Sequence, residues 1–114
     1  MTTLLILNDP PYGTERSYNG LRLAKALAGK GASVQVFLMA DAVGCARSGQ
    51  KVPPGYYKLK LMVKAVARKG EVLLCGSCMD ARGLGDDEIV DGARRSTMNE
   101  LAERTLAAEH VLVF

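Results

Sequence analysis

The apolar positions of this chain form short continuous runs that alternate with segments of helical spacing. The runs at residues 3–8, 33–39 and 71–75 predict strands buried on both faces, because apolar residues follow one another there without polar interruption. Between them, residues 14–29 and 56–69 carry apolar positions three and four apart, which predicts two helices. Alternating strands and helices predict parallel strands joined by right-handed crossovers.

The pattern after residue 75 is less regular. A short helical turn is expected at residues 80–84 and a short strand at 92–95. Ser96 or Thr97 is expected to cap a helix, since Thr97 and Glu100 have capping-box spacing. One face of that helix would carry Met98, Leu101, Ala102, Thr105 and Leu106. Residues 110–114 predict a last strand. The whole pattern predicts a three-layer α/β fold with a mostly parallel sheet of about five strands flanked by helices.

Length and composition limit the class of protein. With 114 residues, of which 48% are hydrophobic, one globular domain over residues 1–114 is expected. No apolar stretch approaches the roughly 20 residues that a membrane-spanning helix needs. The first residues lack the basic segment and small-residue cleavage site of a signal peptide, so we expect a cytoplasmic protein with three reduced cysteines.

The charges are unevenly distributed. Residues 47–70 contain seven of the 15 basic residues and no acid, so the rest of the chain holds eight basic and all 12 acidic residues. Such a segment is either a solvated helix face or a surface that attracts an acidic partner. No nucleic-acid recognition motif accompanies it, so nucleic-acid binding is not expected.

The main candidate for chemistry is the pair of thiols at Cys75 and Cys78, just after the third predicted strand. Cys78 would lie at a helix start, where free N–H groups and partial positive charge favour a thiolate. Arg82, one turn further on, would add to this effect, whereas Asp80 would point elsewhere. Cys75 is either a core residue or a resolving thiol for Cys78, and Gly76 and Ser77 lie between the two.

Other candidate sites are weaker. Two cysteines supply only half of a structural zinc site, so no metal is expected. Cys45 follows the second strand, on the same sheet edge as Cys78, and is expected to fill the core. The first loop lacks a phosphate-binding motif and contains prolines, so neither a nucleotide nor a flavin is expected. Thr14 would cap the first helix, and Tyr12 would lie near the mouth of the thiol site.

Three segments resemble the DsrE/DsrF-like family of small sulfur-transfer proteins, which includes the TusD-type sulfur-relay subunits. They are residues 11–16, 37–43 and 75–84. The resemblance implies a Rossmann-like sheet, trimeric or hexameric assembly, and a loop cysteine that carries a persulfide between a donor and an acceptor protein. Cys78 matches that cysteine. The paired Cys75 is typical of one branch and is not needed by relay members in general.

The leading hypothesis is therefore a sulfur carrier with Cys78 as the persulfide site, on a loop made mobile by Gly76, Gly83 and Gly85. One alternative is a thiol–disulfide oxidoreductase or redox sensor that uses both Cys75 and Cys78. A third is a structural or regulatory subunit with inert cysteines. The sequence leaves open whether the protein is an enzyme, such as a sulfurtransferase.

Overall fold

The computed structural model covers residues 1–114 and contains a five-stranded sheet in which every pairing is parallel. The strands are β1 (Thr2–Leu7), β2 (Ser33–Leu38), β3 (Glu71–Cys75), β4 (Ala93–Ser96) and β5 (His110–Val113), in the order β4-β3-β2-β1-β5. The helices are α1 (Arg16–Gly29), α2 (Leu59–Lys69), α3 (Gly76–Ala81) and α4 (Met98–Ala107), with 3-10 helices at Ala40–Ala46 and Asp86–Glu88. The α/β prediction is confirmed, and the sheet is wholly parallel. None of the helices is long and apolar enough to cross a membrane.

Successive residues of the strands face opposite sides of the sheet and divide the core into two parts. On one side, strand residues such as Leu5 and Val36 join Leu21 of α1 and Val63 of α2 in a cluster of 19 buried residues. On the other side, five buried residues form a smaller cluster, Leu4, Phe37, Leu73, Cys75 and Leu101. Two helices therefore cover the first face, whereas only α4 covers the second.

Helix α4 and strand β5 leave large apolar side chains in solvent. Of the apolar α4 face predicted from the sequence, only Leu101 is buried in the core. Met98 is 57% exposed, Leu106 is 88% exposed, and Val113 of the edge strand β5 is 66% exposed. The isolated chain thus has an uncovered apolar surface at α4 and β5.

Two predicted helix starts lie further along the chain than expected. Thr14 is not the N-cap residue of α1, because the helix begins at Arg16 and Glu15 occupies the N-cap position. The Thr14 hydroxyl donates to the Asp9 carboxylate at 2.6 Å and accepts the Arg16 N–H at 3.4 Å. Helix α2 begins at Leu59 rather than at residue 56. The Leu59 N–H donates to the Tyr12 hydroxyl and the next N–H donates to Gln50, so distant side chains satisfy the first turn.

The helix after β3 also differs from the prediction. A turn at residues 80–84 was expected, but α3 starts at Gly76, directly after the strand. The Cys75 sulfur accepts a hydrogen bond from an amide of its first turn, and Gly83, with φ of 62°, lies in the left-handed region just after its end. The predicted cap of α4 is confirmed, since the Thr97 hydroxyl accepts from the Glu100 N–H at 3.1 Å.

Candidate functional site

The two thiols lie at a sharp turn where β3 passes directly into α3. Cys75 ends the strand in an extended conformation and acts as the N-cap of the helix. Its sulfur accepts the Cys78 N–H at 3.4 Å and lies 3.3 Å from the Ser77 hydroxyl oxygen. Side-chain acceptors normally occupy this position because the first N–H groups of a helix have no partner within it. A sulfur atom here is therefore well placed to carry negative charge.

Cys75 faces a shallow pocket of about 300 Å³ beside the start of α4. The pocket is lined by Cys75, Gly76, Ser77, Asp80, Arg95, Ser96, Thr97 and Met98. Cys75 itself is only 4% exposed, so its sulfur lies at the base of this pocket rather than at the surface.

Gly76 allows strand β4 to approach the turn closely. A Cβ atom at this position would lie 2.9 Å from Nη1 of Arg95 and 3.0 Å from the Ser96 carbonyl oxygen. Gly85 is also fixed, because its N–H donates to the Glu88 carboxylate at 2.8 Å. The thiols were predicted to lie on a loop, but they lie on a strand end and a helix that are packed against β4.

Arg95 fastens this turn to its surroundings. Its guanidinium donates to the carboxylates of Asp80 at 2.9 Å and Asp86 at 2.8 Å, and to the Gly76 carbonyl oxygen at 3.1 Å. The hydrogen bond from Arg95 lowers the pKa of Asp80. Asp80 thus pairs with Arg95 and lines the pocket at Cys75. Arg95 was not singled out from the sequence. The available signal was that two arginines stand next to each other, and in the structure they take different partners, because Arg94 pairs with Glu100.

Cys78 is half-buried and contacts both core clusters. Arg82 donates to the Cys78 carbonyl oxygen at 3.1 Å and pairs with Asp41 at 2.8 Å, so the predicted proximity of Arg82 and Cys78 is confirmed. The backbone of Ala40 acts to lower the pKa of Cys78, against the larger effect of burial. Ala40 is the one non-glycine residue with positive φ, at 49°, a strained conformation that is common at functional sites. Nothing in the neighbouring sequence singled out Ala40.

The two thiols interact and their pKa values move in opposite directions. Burial raises the pKa of Cys75, but hydrogen bonds from Cys78 and Ser77 outweigh it, so this pKa lies below its usual value. The pKa of Cys78 is raised by burial and by its hydrogen bond to Cys75, and the opposing effects of Ala40 and Arg82 are smaller. The expectation that the helix start lowers the pKa of Cys78 is therefore wrong. The helix start favours the Cys75 thiolate, because Cys75 rather than Cys78 occupies the N-cap.

The other predicted residues lie apart from the thiols. Cys45 is fully buried in the 3-10 helix Ala40–Ala46, and burial raises its pKa to about 12, which agrees with a core role. Tyr12 donates to Gln50 at 3.0 Å and stacks near Tyr57, so it supports the start of α2 rather than the mouth of the site. No group of three or more histidine, cysteine, aspartate or glutamate side chains is placed to hold a metal ion.

Comparison of the sequence with known proteins identifies the family of this chain. Residues 1–114, the whole chain, match the DsrE/DsrF-like family. The chain belongs to the DsrE/DsrF-like family. It is 38% identical to the protein YchN of Escherichia coli over 113 residues, with 97% of each chain covered. It is 32% identical to the uncharacterized protein MJ0989 of Methanocaldococcus jannaschii, with 100% of both chains covered.

Solved structures agree with this DsrE/DsrF-like assignment. The crystal structure of the YchN protein from E. coli matches with a TM-score of 0.91 at 39% identity and covers 100% of both chains. A protein of unknown function from Methanobacterium thermoautotrophicum, MTH1491, matches with a TM-score of 0.77 at 13% identity, over 99% of this chain and 97% of that one, which supports the fold alone. Membership of the DsrE/DsrF-like family supports a sulfur-related role and suggests partner proteins of a sulfur relay.

Proposed function

We propose that this protein is a sulfur carrier that accepts sulfane sulfur from a donor protein as a persulfide on Cys78 and passes it to an acceptor protein. The observation that carries the proposal is the thiol pair itself: the more accessible Cys78 lies beside Cys75, whose sulfur accepts the Cys78 N–H at 3.4 Å and whose pKa is lowered by hydrogen bonds. A carrier needs an accessible sulfur nucleophile and a group that takes up its proton. The pair supplies both.

The proposed transfer is an exchange without net oxidation. The Cys78 thiol gives its proton to the Cys75 thiolate, and the Cys78 sulfur attacks the outer sulfur of the donor persulfide. An S–S bond forms at Cys78 while the S–S bond of the donor breaks, and the donor sulfur leaves as a thiolate that regains the proton from Cys75. Delivery to the acceptor runs through the same steps in reverse, with the acceptor thiolate attacking the outer sulfur.

The surroundings of Cys78 are suited to the negative charge that develops in each step. Arg82 lies beside it and lowers its pKa through its charge, and the Ala40 backbone hydrogen bond acts in the same direction. Fixed donors of this kind stabilise a charged intermediate without having to reorganise. In this proposal Cys75 is the base, Cys78 is the sulfur carrier, and Arg82 and Ala40 hold the anion.

A second candidate is a thiol–disulfide exchange protein that uses both cysteines. It is favoured by the capping of α3, because the Cys78 N–H donates to the Cys75 sulfur at 3.4 Å and so holds the two residues together. In this chemistry the Cys75 thiolate would attack a Cys78 sulfur that carries a leaving group. The product would be a disulfide between the two residues, with release of a thiol or of hydrosulfide.

Mass spectrometry separates these candidates. The protein is incubated with a cysteine desulfurase and cysteine without reductant, and intact protein and peptides are weighed. We expect one added sulfur on the Cys78 peptide, reversed by dithiothreitol, in the wild type and in the control variant Cys45→Ser. Cys75→Ser should still gain sulfur, but at least about tenfold more slowly, since a positioned base contributes at least that much. Sulfur uptake by Cys78→Ser would contradict the carrier proposal. Loss of two hydrogens across Cys75 and Cys78 without sulfur gain would favour disulfide exchange.

We further propose that residues 1–114 act as one domain in the cytoplasm and assemble into a homotrimer or homohexamer. The support for assembly is the uncovered apolar surface at α4 and β5, where Leu106 and Val113 are mostly exposed. The edge strand β5 also offers unpaired backbone groups, which proteins commonly cover by association.

A further inference from the structure

A groove between α1 and α2, on the face of the sheet opposite the Cys75 pocket, is lined by unpaired basic residues. Two shallow pockets of about 500 and 360 Å³ follow one another along it, because both are lined by Lys25. The basic groove is lined by the side chains of Arg22, Lys25, Arg68 and Lys69, and no acid lines it.

The groove has an apolar, small-residue floor. Ala26 and Ala28 of α1 line it together with Ala65 of α2, and Met62 adds a larger apolar contact. Small side chains let another element approach the two helices closely, and the basic side chains on either side then lie beside its flanks. A surface of this shape suits an amphipathic helix.

The charge of this groove is not neutralised within the chain. Other cations of the chain, such as Arg82, Arg95 and Arg104, have carboxylate partners. No carboxylate lies within 4.0 Å of the charged groups of Lys25, Arg68 or the other two groove residues. Like charges about one helical turn apart, as at Arg22 and Lys25, repel each other, so the free protein is destabilised by this arrangement and a bound acidic partner would relieve it.

We propose that the groove between α1 and α2 binds an acidic amphipathic helix of a partner protein. The acidic side chains pair with the rim and the apolar face rests on the alanine floor. The site is independent of the sulfur chemistry, since the Cys75 pocket opens beside α4 on the other face of the sheet, and a docked partner leaves that pocket accessible. The uncovered apolar surface at α4 and β5 also remains free for self-association.

A fluorescence anisotropy titration tests this proposal. The probe is a fluorescein-labelled helical peptide of glutamate, alanine and leucine, about 18 residues or ~27 Å long, with glutamates one turn apart. That length fits a molecule measuring 37 × 30 × 23 Å. A peptide with every glutamate replaced by glutamine is the control probe. We expect binding of the acidic peptide alone, weakened severalfold when salt rises from about 0.05 M to about 0.3 M.

Charge-reversal variants localise the binding. Lys25→Glu combined with Arg68→Glu should weaken binding at least about tenfold, and the neutral pair Lys25→Gln with Arg68→Gln should fall between it and the wild type. The matched control is Arg16→Glu with Lys51→Glu, which makes the same change in net charge at exposed positions outside the groove and should alter binding less than about twofold. Circular dichroism checks that all variants fold.

Three results would overturn the proposal. The first is a flat titration of the wild type with the acidic peptide. The second is equal weakening by the groove and control pairs, because binding would then follow net charge alone. The third is tighter binding of a fluorescein-labelled single-stranded oligonucleotide of similar length with the same dependence on Lys25 and Arg68, which would assign the groove to nucleic acid.

Discussion

Replacing Gly76 by alanine tests the close packing that holds the thiol turn. The added Cβ would lie 3.0 Å from the Ser96 carbonyl oxygen and within 3.2 Å of two atoms of Arg95. The Arg95 side chain can shift, but the Ser96 oxygen belongs to β4, which is paired with β3 at Cys75. The substitution therefore forces either the helix start or the strand to move.

The expected cost combines two opposing effects. Overpacking of this kind costs about 1–3 kcal/mol, whereas alanine gains up to about 1 kcal/mol over glycine in a helix. We expect a net loss of about 1–2 kcal/mol in the free energy of unfolding, or a fall of roughly 5–10 °C in Tm for a chain of this size.

Urea and thermal denaturation measure this effect, with Gly29→Ala as the matched control. Gly29 is also a helical glycine, but a Cβ there meets no atom within 4 Å. Gly29→Ala should stabilise the protein by about 0.5–1 kcal/mol. If Gly76→Ala proved as stable as Gly29→Ala, the packing argument for the turn would be refuted.

Two other predictions concern the thiolate and the assembly. Ser77→Ala removes a hydrogen bond that lowers the pKa of Cys75, so the pH profile of Cys75 alkylation, followed by peptide mass spectrometry, should move to higher pH, with severalfold slower labelling near neutrality. The control is Ser48→Ala, a serine outside the site, and an unchanged profile in Ser77→Ala would contradict the assigned hydrogen bond. Val113→Lys places a charge on the exposed edge strand and should convert the proposed trimer or hexamer into smaller species in light scattering at micromolar concentration, whereas Leu61→Lys, at an exposed apolar position on α2, should not; a monomeric wild type would contradict the proposed assembly.

The sheet could be predicted from the sequence because its strands are buried on both faces. Strand β3 was located to the residue, and the strands β1 and β2 to within one residue at either end. The start of α2 was missed, since its first N–H groups are satisfied by Tyr12 and Gln50, which are far away in sequence. Contacts of that kind leave no local pattern.

The thiol site was predicted in its position and not in its electrostatics. The spacing of Cys75 and Cys78 located the chemistry, but α3 begins at Gly76, three residues before a helix capped by Cys78 would begin, and this start decides which sulfur caps it. The positive φ of Ala40 and the approach of Arg95 depend on how the ends of β2 and β4 meet this turn. These are tertiary features, so neither could be inferred from the neighbouring sequence.

The buried thiol of Cys45 can be used to measure how often the 3-10 helix Ala40–Ala46 separates from the core. Its thiol is fully buried and its pKa is about 12, so it reacts with an alkylating agent only in molecules whose 3-10 helix has separated from the core. In a variant lacking the other two cysteines, the labelling rate of Cys45, divided by the rate for an unfolded chain, equals the fraction of open molecules when closing is fast. A single thiol can thus follow rare fluctuations of the native protein beside the functional site.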